Sequence, residues 1–316
     1  MKGFYSDHFV LPLPAGHRFP MAKYRLLRER VESELTDVAL CEPLPATDGE
    51  LALAHDPHYV ARVLRGDLTA QEQRVVGFPW SEALVARARR TTGGTIAACR
   101  SAMAEQVAVN LAGGTHHAHA DHGQGYCTFN DAAVAARLMQ AEAARRRALL
   151  RVAIVDLDVH QGNGTAAILG NDVGVFTLSL HGERNFPFRK EHSTLDVALP
   201  DGTTDDAYLA ALDVALDSVL RTMVPQLVIY LAGADAHAED RLGKLSLTTA
   251  GMRERDQRVL AFARRCDAAI AICMAGGYGR STETTVDVHF NTVEAALRSW
   301  RDRQDTEIDG ARVRIA

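Results

Sequence analysis

The segment of residues 152–160 begins with apolar and β-branched side chains and ends with Asp156, Asp158 and His160, just before Gly162 and Gly164. A continuous apolar run is typical of a strand that is buried on both faces of a sheet. We therefore predict a buried strand over residues 152–160 that carries polar groups at its carboxyl end. Similar runs predict four more strands, at residues 107–111, 173–180, 227–231 and 268–274.

The segments between these runs are rich in Ala, Leu, Arg and Glu and repeat apolar residues at helical spacing. They predict helices at residues 81–105, 130–147, 205–223, 248–265 and 282–301. Alternating strands and helices favour a mostly parallel sheet with helices on both faces, which binds its ligands beyond the carboxyl ends of the strands. Because no linker, repeat or low-complexity tract divides the chain, we predict one domain over residues 1–316.

Composition narrows the class of protein. The 316 residues are 47% hydrophobic and 24% charged, which suffices for a large core, and the net charge is only −5. Without a basic block, nucleic acid is not an expected partner. Five scattered cysteines argue against a disulfide framework or a thiolate zinc site and favour a reducing compartment. The start of the chain does not resemble a signal peptide, and no apolar run approaches the roughly 18 residues of a membrane span, so we expect a cytoplasmic protein.

Asp156, Asp158 and His160 occupy alternate positions. Alternate residues of an extended chain point to the same side, so these groups can converge at one place. Oxygen and nitrogen ligands suit Zn²⁺ or Fe²⁺, and unpaired buried carboxylates would be costly. The pattern predicts a metal site at the end of this strand, and hence a metal-dependent hydrolase.

A run of histidines follows the strand predicted at residues 107–111, directly after Gly113 and Gly114. His116 and His117, next to the glycine turn, can serve as acid and base because the pKa of histidine lies near neutral pH. His119 and His122 can equally belong to a solvated loop.

Two further strand ends carry candidate residues. Asp235 follows the strand at residues 227–231, where it can be a third metal ligand or simply a loop or capping residue. Tyr278 follows Gly276 and Gly277 at another strand end, where its phenol can stabilise an oxyanion or merely pack. Gly125, Tyr126 and Phe186 are weaker candidates for the wall of a narrow pocket.

Read in order, the motifs GGTHHAHADHGQGYCTFNDAA, VDLDVHQGNGT, LSLH, NFP, LAGADAHAEDRLGKLSLT and AGGY closely resemble those of the histone deacetylase and acetylpolyamine amidohydrolase superfamily. The resemblance spans about residues 113–278. It implies an arginase-like three-layer α/β/α fold with a mostly parallel central sheet, and amide hydrolysis by a metal-activated water.

The resemblance also implies roles for individual residues. Asp158, His160 and Asp235 would bind Zn²⁺, with Fe²⁺ as the alternative ion. His117 would be the general base, His116 its electrostatic partner, and Tyr278 the oxyanion donor. Asp156 would orient His116, and Asn163, where many members have aspartate, would lie behind His117. A structural K⁺ ion would be held by Asp156, Asp158, His160, Ser179 and Leu180. The substrate tube would be lined by Gly125, Tyr126, Phe186, Gly276 and Gly277.

The segment Asp240-Arg-Leu-Gly-Lys and the HQGNG variant look most like the class IV branch, some members of which remove long fatty acyl groups as well as acetyl. The acidic residue that clamps the substrate backbone in some deacetylases is not evident near residues 77–79. The expected substrate is therefore an acylated protein lysine or, as the alternative, an acylpolyamine or other small amide. A ureohydrolase with two Mn²⁺ ions and a non-catalytic acyl-lysine binder are less favoured.

Overall fold

The computed structural model describes residues 1–14 and 16–315. In these residues eight strands form one sheet, in the order β2-β1-β3-β8-β7-β4-β5-β6, and every neighbouring pair is parallel. The strands are β1 (Lys2–Phe4), β2 (Ala39–Cys41), β3 (Val107–Asn110), β4 (Val152–Asp156), β5 (Val175–Gly182), β6 (Leu195–Leu199), β7 (Leu227–Leu231) and β8 (Ala269–Cys273).

Ten helices occur in the same part of the chain. They are α1 (Ala22–Glu34), α2 (Asp48–Leu51), α3 (Pro57–Arg65), α4 (Ala70–Val76), α5 (Glu82–Glu105), α6 (Asp131–Arg145), α7 (Asn163–Leu169), α8 (Asp205–Thr222), α9 (Thr249–Arg265) and α10 (Thr282–Ile315). In the described residues we find no helix that is both long and apolar enough to cross a membrane.

Both faces of the sheet are covered, which explains the continuous apolar strands. Val107 and Val109 pack in a core with α1, α8, α9 and α10, whereas Ala108 packs in a second core with α5 and α6. The same alternation holds in the other central strands, because successive side chains of a strand point to opposite faces. The three-layer α/β/α fold predicted from the sequence is confirmed.

The prediction that a strand runs from residue 152 to residue 160 is wrong at its end, because β4 stops at Asp156. The side chain of Asp156 accepts a hydrogen bond from the backbone N–H of Asp158 (3.2 Å), and Asp158 Oδ1 accepts one from the N–H of His160 (2.9 Å). Aspartate side chains that bond backbone amides two residues ahead favour turns over strands. The acidic residues that suggested a metal site therefore also end the strand.

Other boundaries also differ from the predictions. β5 lies two residues later than predicted, and α10 continues to Ile315 instead of ending near residue 301. The short strands β1, β2 and β6 and the helices α1 to α4 and α7 were not predicted. β1 has three residues and is fixed by pairing with both β2 and β3, contacts that a local pattern cannot indicate.

Candidate metal and catalytic site

Asp158, His160 and Asp235 meet beyond the carboxyl ends of β4 and β7. The two strands are neighbours in register, so the loops that follow them leave the sheet side by side. All three side chains are at least nine-tenths buried, and one ligand atom of each lies within 4.8 Å of the others. His160 Nδ1 is 2.9 Å from Asp158 Oδ1 and 3.4 Å from Asp235 Oδ2.

The donor atoms fit a divalent metal. Asp235 Oδ2 is buried and has no hydrogen-bond partner among the described residues, whereas Asp235 Oδ1 accepts from the N–H of Val159 (2.9 Å). A Cβ on Gly276 would lie 2.0 Å from Asp235 Oδ2, so only glycine leaves this space open. One imidazole nitrogen and two carboxylates, with a fourth position free, are the ligands of a catalytic Zn²⁺ site.

The electrostatics favour positive charge at this place. Burial lowers the pKa of His160, but the carboxylates of Asp158 and Asp235 outweigh it and raise the pKa to about 10. Burial and the charge of Asp158 raise the pKa of Asp235 to about 7. Two close carboxylates that are this buried repel each other, so a bound cation would stabilise both.

His116 and His117 lie side by side, with ring centroids 4.1 Å apart. His116 Nδ1 is 2.6 Å from Asp156 Oδ2, and His117 Nδ1 is 2.6 Å from Asn163 Oδ1. Each imidazole is therefore oriented through Nδ1 by a side chain from the segment that also supplies Asp158 and His160.

The two histidines have opposite pKa shifts. Burial lowers the pKa of His116, but the charges of Asp156 and Asp158 outweigh it and raise the pKa to about 9. Burial, helped by the nearby charges of His116 and His160, holds the pKa of His117 well below its ordinary value. His117 is therefore the neutral member of the pair, as a general base must be.

The turn before the histidines is held by a buried carboxylate. Gly113 and Gly114 have φ of 83° and 75°, which is left-handed backbone that suits glycine. A Cβ on Gly114 would also lie 2.4 Å from the Cβ of Ala275. Asp131, at the start of α6, accepts hydrogen bonds from the N–H groups of Gly114 (2.9 Å) and Thr115 (2.7 Å). The histidine loop is thus tied to the helix that follows it.

Tyr278 lies in the loop after β8. Its N–H donates to Asp240 Oδ2 (2.6 Å), and the buried Lys23 Nζ donates to the carbonyls of Ala275 (3.2 Å) and Gly277 (3.4 Å). Burial raises the pKa of the Tyr278 phenol well above its ordinary value, so the phenol keeps its proton. These contacts hold a neutral hydrogen-bond donor beside the proposed metal ligands.

One cavity of about 640 Å³ joins these groups. Its lining includes His116, His117, Asp158, His160 and Tyr278 and the predicted tube residues Gly125, Tyr126, Phe186 and Gly276. Gly277 was also predicted to line the tube, but it is not among the described lining residues, and a Cβ on it would meet Thr285 Cγ2 at 2.7 Å.

The wall beside His117 is tightly built. A Cβ on Gly125 would lie 2.7 Å from His117 Cδ2. The ring of Phe186 packs edge-on against His117, with the centroids 4.9 Å apart. These contacts leave little room for the imidazole of His117 to rotate.

The cationic rim of the cavity consists of Arg74, Arg184 and Lys244. Among the described lining residues the one acid is Asp158, which belongs to the candidate metal site. Arg74 stands three residues before Gly77, in the region where the sequence lacked an acidic clamp. Arg184 and Lys244 lie 4.0 and 3.9 Å from the same carboxylate oxygen of Asp201, which neutralises them only in part.

The residues predicted to form a K⁺ site are all buried and lie in or directly after β4 and β5. Ser179 of β5 pairs with Asp156 of β4, and Leu180 follows it in the same strand. Ser179 Oγ lies 3.0 Å from His181 Nδ1 and accepts from the N–H of Gly162 at 3.4 Å. The side chains of Asp158 and His160 belong to the candidate metal site, so the predicted K⁺ role for these two residues rests on their main-chain carbonyls.

Sequence reasoning missed several supporting residues. Lys23, Asp131 and Asp240 hold the loops that carry His116 and Tyr278, and Arg255 Nη1 donates to the carbonyl of Gly233 (2.6 Å) just before Asp235. Asp131 and Asp240 stand inside the motifs quoted above, which was the available signal. Lys23 stands in the segment HRFPMAKY of residues 17–24, which extends the same resemblance weakly toward the start of the chain. Arg255 had no signal, because its partner is distant in sequence.

Comparison with known proteins agrees with this geometry. Residues 17–293 match the family model described as "Histone deacetylase domain". An uncharacterized protein from Picosynechococcus sp. is 41% identical and aligns over 90% of this chain and 94% of its own length. Histone deacetylase 2 of Arabidopsis thaliana is 32% identical over 85% of this chain and 72% of its own length.

A solved structure supports the fold in particular. The crystal structure of a histone deacetylase homologue from Aquifex aeolicus superposes with a TM-score of 0.78 at 23% identity, covering 93% of this chain and 83% of that one. The resemblance inferred from the motifs is confirmed, while the class IV assignment stays a prediction. The chain belongs to the histone deacetylase family of hydrolases, whose domain model spans all of the candidate site residues.

Proposed function

We propose that this protein hydrolyses the amide bond of N-acyl-lysine residues in a Zn²⁺-dependent reaction. The observation that carries the proposal is the buried, unpartnered Asp235 Oδ2 beside His160, whose imidazole lines the same cavity as His117 and Tyr278. Ligands, base and oxyanion donor are the set that amide hydrolysis needs.

Asp158, His160 and Asp235 would hold the metal. When bound, Zn²⁺ would polarise the acyl carbonyl and lower the pKa of the attacking water. Asp156 and Ser179, with the main-chain carbonyls of Asp158, His160 and Leu180, would hold a K⁺ ion through oxygen atoms behind the site.

His117 would move the protons. With the ring proton on Nδ1 and donated to Asn163 Oδ1, 2.6 Å away, the lone pair of Nε2 would be free to accept a proton from water as the C–O bond forms. The same Nε2–H would then be donated to the lysine nitrogen as the C–N bond breaks, so that the amine leaves neutral. His116, paired with Asp156, would supply positive charge nearby without taking the proton.

Tyr278 would stabilise the developing oxyanion. Its phenol keeps its proton, and it can donate a hydrogen bond to the former carbonyl oxygen. Asp240 fixes the backbone N–H of Tyr278 and Lys23 fixes the carbonyls of the residues just before it, so this donor would be in place before the substrate reacts.

The cationic rim favours an acyl-lysine of a protein over an acylpolyamine. An acylpolyamine carries further ammonium groups, and the described lining residues offer them three cations and, at the floor, one acid. Like charges at a binding site disfavour a ligand by electrostatic repulsion. The small-amide alternative therefore requires an amide without further positive charge.

Two other classes of function have less support. A ureohydrolase with two Mn²⁺ ions needs further acidic ligands, and the described residues contain one group of three that can hold a metal. A silent acyl-lysine binder has no use for a neutral base and a protonated phenol in one cavity. Hydroxamate binding without hydrolysis of any acyl substrate would favour the binder.

Replacing Tyr278 with phenylalanine tests the proposal. We expect Zn²⁺ content to be unchanged and kcat on an acyl-lysine peptide to fall about 100-fold or more, as for loss of one oxyanion donor. Tyr5, which lies outside the cavity lining, provides a matched Tyr5→Phe control with unchanged kcat. Unchanged turnover in Tyr278→Phe would contradict the assignment.

A substrate panel decides between the two enzyme classes. We expect turnover of acyl-lysine peptides, tested from acetyl to myristoyl, to exceed that of acetylspermidine in kcat/KM, with metal content measured on the same sample. The reverse order would show that the protein is a polyamine amidohydrolase.

A further inference from the structure

The side-chain amide of Asn163 is buried, and both of its ends are engaged. Asn163 Oδ1 lies 2.6 Å from His117 Nδ1. Asn163 Nδ2 lies 3.0 Å from His119 Nε2 and 2.8 Å from Gln124 Oε1. The Asn163 amide thus connects His119 and Gln124 to the base His117.

An amide couples these contacts in a way that a carboxylate does not. Its oxygen only accepts and its nitrogen only donates, so the partners at one end decide what is presented at the other. If Nδ2 faces two acceptors, Oδ1 faces His117, and the ring proton must lie on Nδ1. If the amide is reversed, its Nδ2 donates to His117 Nδ1, the ring proton moves to Nε2, and no lone pair remains there for water.

We propose that His119 and Gln124 are positioning residues that hold the Asn163 amide in the first orientation and so fix the tautomer in which His117 can act as a base. The inference rests on the proposed function only in giving His117 Nε2 the role of base. It assigns a role to His119, which the sequence pattern left as a solvated loop residue.

The surroundings of His119 suit a fixed, neutral acceptor. Its ring stacks on the ring of His122, with the centroids 4.4 Å apart and the planes within 11°. The backbone N–H of His119 donates to the His122 carbonyl (2.9 Å). His122 Nδ1 is held in turn by Asp121 Oδ1 (2.7 Å). Burial first, and then the neighbouring His122, lower the pKa of His119, which favours the neutral ring, and a neutral imidazole has one nitrogen that can accept a hydrogen bond.

The tautomer of His117 can be observed directly by ¹⁵N spectroscopy of its ring nitrogens. His119→Phe keeps a ring to stack on His122 but removes the acceptor, and Gln124→Met removes the second one. We expect the Nδ1–H tautomer in the wild type and a mixture of both tautomers in the double variant. An unchanged His117 spectrum in the double variant would overturn the inference. This measurement needs no turnover, so it decides the inference even if no acyl-lysine is hydrolysed and the proposed function fails.

Kinetic measurements of His119→Phe in two backgrounds distinguish a positioning role of His119 from a general loss of structure. In the wild-type background, His119→Phe should lower kcat about tenfold with KM and Zn²⁺ content unchanged, the size typical of an outer partner of an active site. In the Asn163→Asp background the same substitution should change kcat by no more than about twofold, because a carboxylate accepts at either oxygen. An equal loss in both backgrounds would contradict the proposal.

His122→Phe is the matched control. His122 stacks on His119 but does not contact Asn163, and phenylalanine preserves the stack. We expect the His117 tautomer and kcat of this variant to equal those of the wild type. A loss as large as that of His119→Phe would show that ring packing, and not the acceptor, matters.

Discussion

Asp131 illustrates how one buried residue sets the geometry of the histidine loop. It is fully buried, and each carboxylate oxygen accepts from a backbone N–H of the histidine loop. Oδ2 accepts from the N–H of Gly114 (2.9 Å) and the hydroxyl of Thr95 (2.5 Å). Oδ1 accepts from the N–H of Thr115 (2.7 Å), whose hydroxyl lies 2.7 Å from Oδ1 and 2.6 Å from the carbonyl oxygen of Phe129. Because two of the donors are backbone N–H groups, which cannot become acceptors, the site requires acceptors at both oxygens.

The substitution Asp131→Asn tests this requirement. It preserves the shape of the side chain but replaces one carboxylate oxygen with an NH₂ group, which donates hydrogen bonds and does not accept them. A buried backbone N–H of the loop therefore loses its partner. We expect the free energy of unfolding in urea to fall by about 2–3 kcal/mol. Asp206→Asn, at an exposed position in the first turn of α8, is the control and should change it little. Equal stability of Asp131→Asn and wild type would contradict this account.

At the scale of elements, α4 supports one wall of the cavity. Its N-cap Thr69 and Glu72 form a capping box, and Arg62 of α3 reaches Glu72 Oε2 (2.5 Å). At its other end, the carbonyls of Val75 and Val76 accept from the N–H groups of Gly125 and Tyr126, at 3.0 and 2.7 Å. The helix therefore links α3 to Gly125 and Tyr126 in the lining of the cavity.

The pH dependence of stability should reveal the Glu72 contact. The hydrogen bond from Arg62, together with those from Thr69, lowers the pKa of Glu72 to about 2 from the 4.5 of the unfolded chain. A depressed carboxyl pKa stabilises the folded state above pH 4.5, and this contribution is lost as the pH falls toward about 2.

We expect Glu72→Gln to lower the free energy of unfolding by about 1 kcal/mol at pH 7, a modest value because the pair is near the surface. The difference from wild type should be the same at pH 6 and shrink below pH 4.5. Urea unfolding at several pH values measures it, with Glu294→Gln in α10 as the control. A difference that grows toward low pH would contradict the assignment.

At the scale of the whole molecule, the candidate active site depends on the order of the strands in the sheet. The histidine loop follows β3, the tyrosine loop β8, Asp235 β7, and Asp158 β4. These four strands are adjacent in the sheet, in the order β3-β8-β7-β4. Residues from 116 to 278 therefore converge beyond the carboxyl ends of four central strands.

A metal bound here should stabilise the whole fold. Binding at 100 times Kd contributes about 2.7 kcal/mol, which raises the Tm of a protein of this size by roughly 4 °C. We expect chelator-treated protein to show this increase on addition of Zn²⁺, measured by calorimetry. Asp235→Asn should abolish the increase while remaining folded. A comparable increase in Asp235→Asn would place the stabilising ion elsewhere, for example at the exposed histidines.

The local pattern of hydrophobic and polar residues was sufficient to predict the central strands and the long helices. β7 was predicted with its observed bounds, and β3 and β8 to within one residue at each end, because strands buried on both faces are continuous apolar runs. It was insufficient where the side chains of Asp156 and Asp158 replaced strand pairing with turns. It also missed β1, whose three residues form a strand only because two neighbours flank them.

The sequence alone determined the parallel α/β class and which residue types stand at the strand ends, because burial of apolar side chains and the chemistry of Asp, His and Tyr are local properties. Only the tertiary structure decided which ends meet. The strand order, the contact of Lys23 with the Tyr278 loop and the path from His117 through Asn163 to His119 join distant residues. Such contacts depend on how whole elements pack, and no local pattern of hydrophobic and polar residues specifies them.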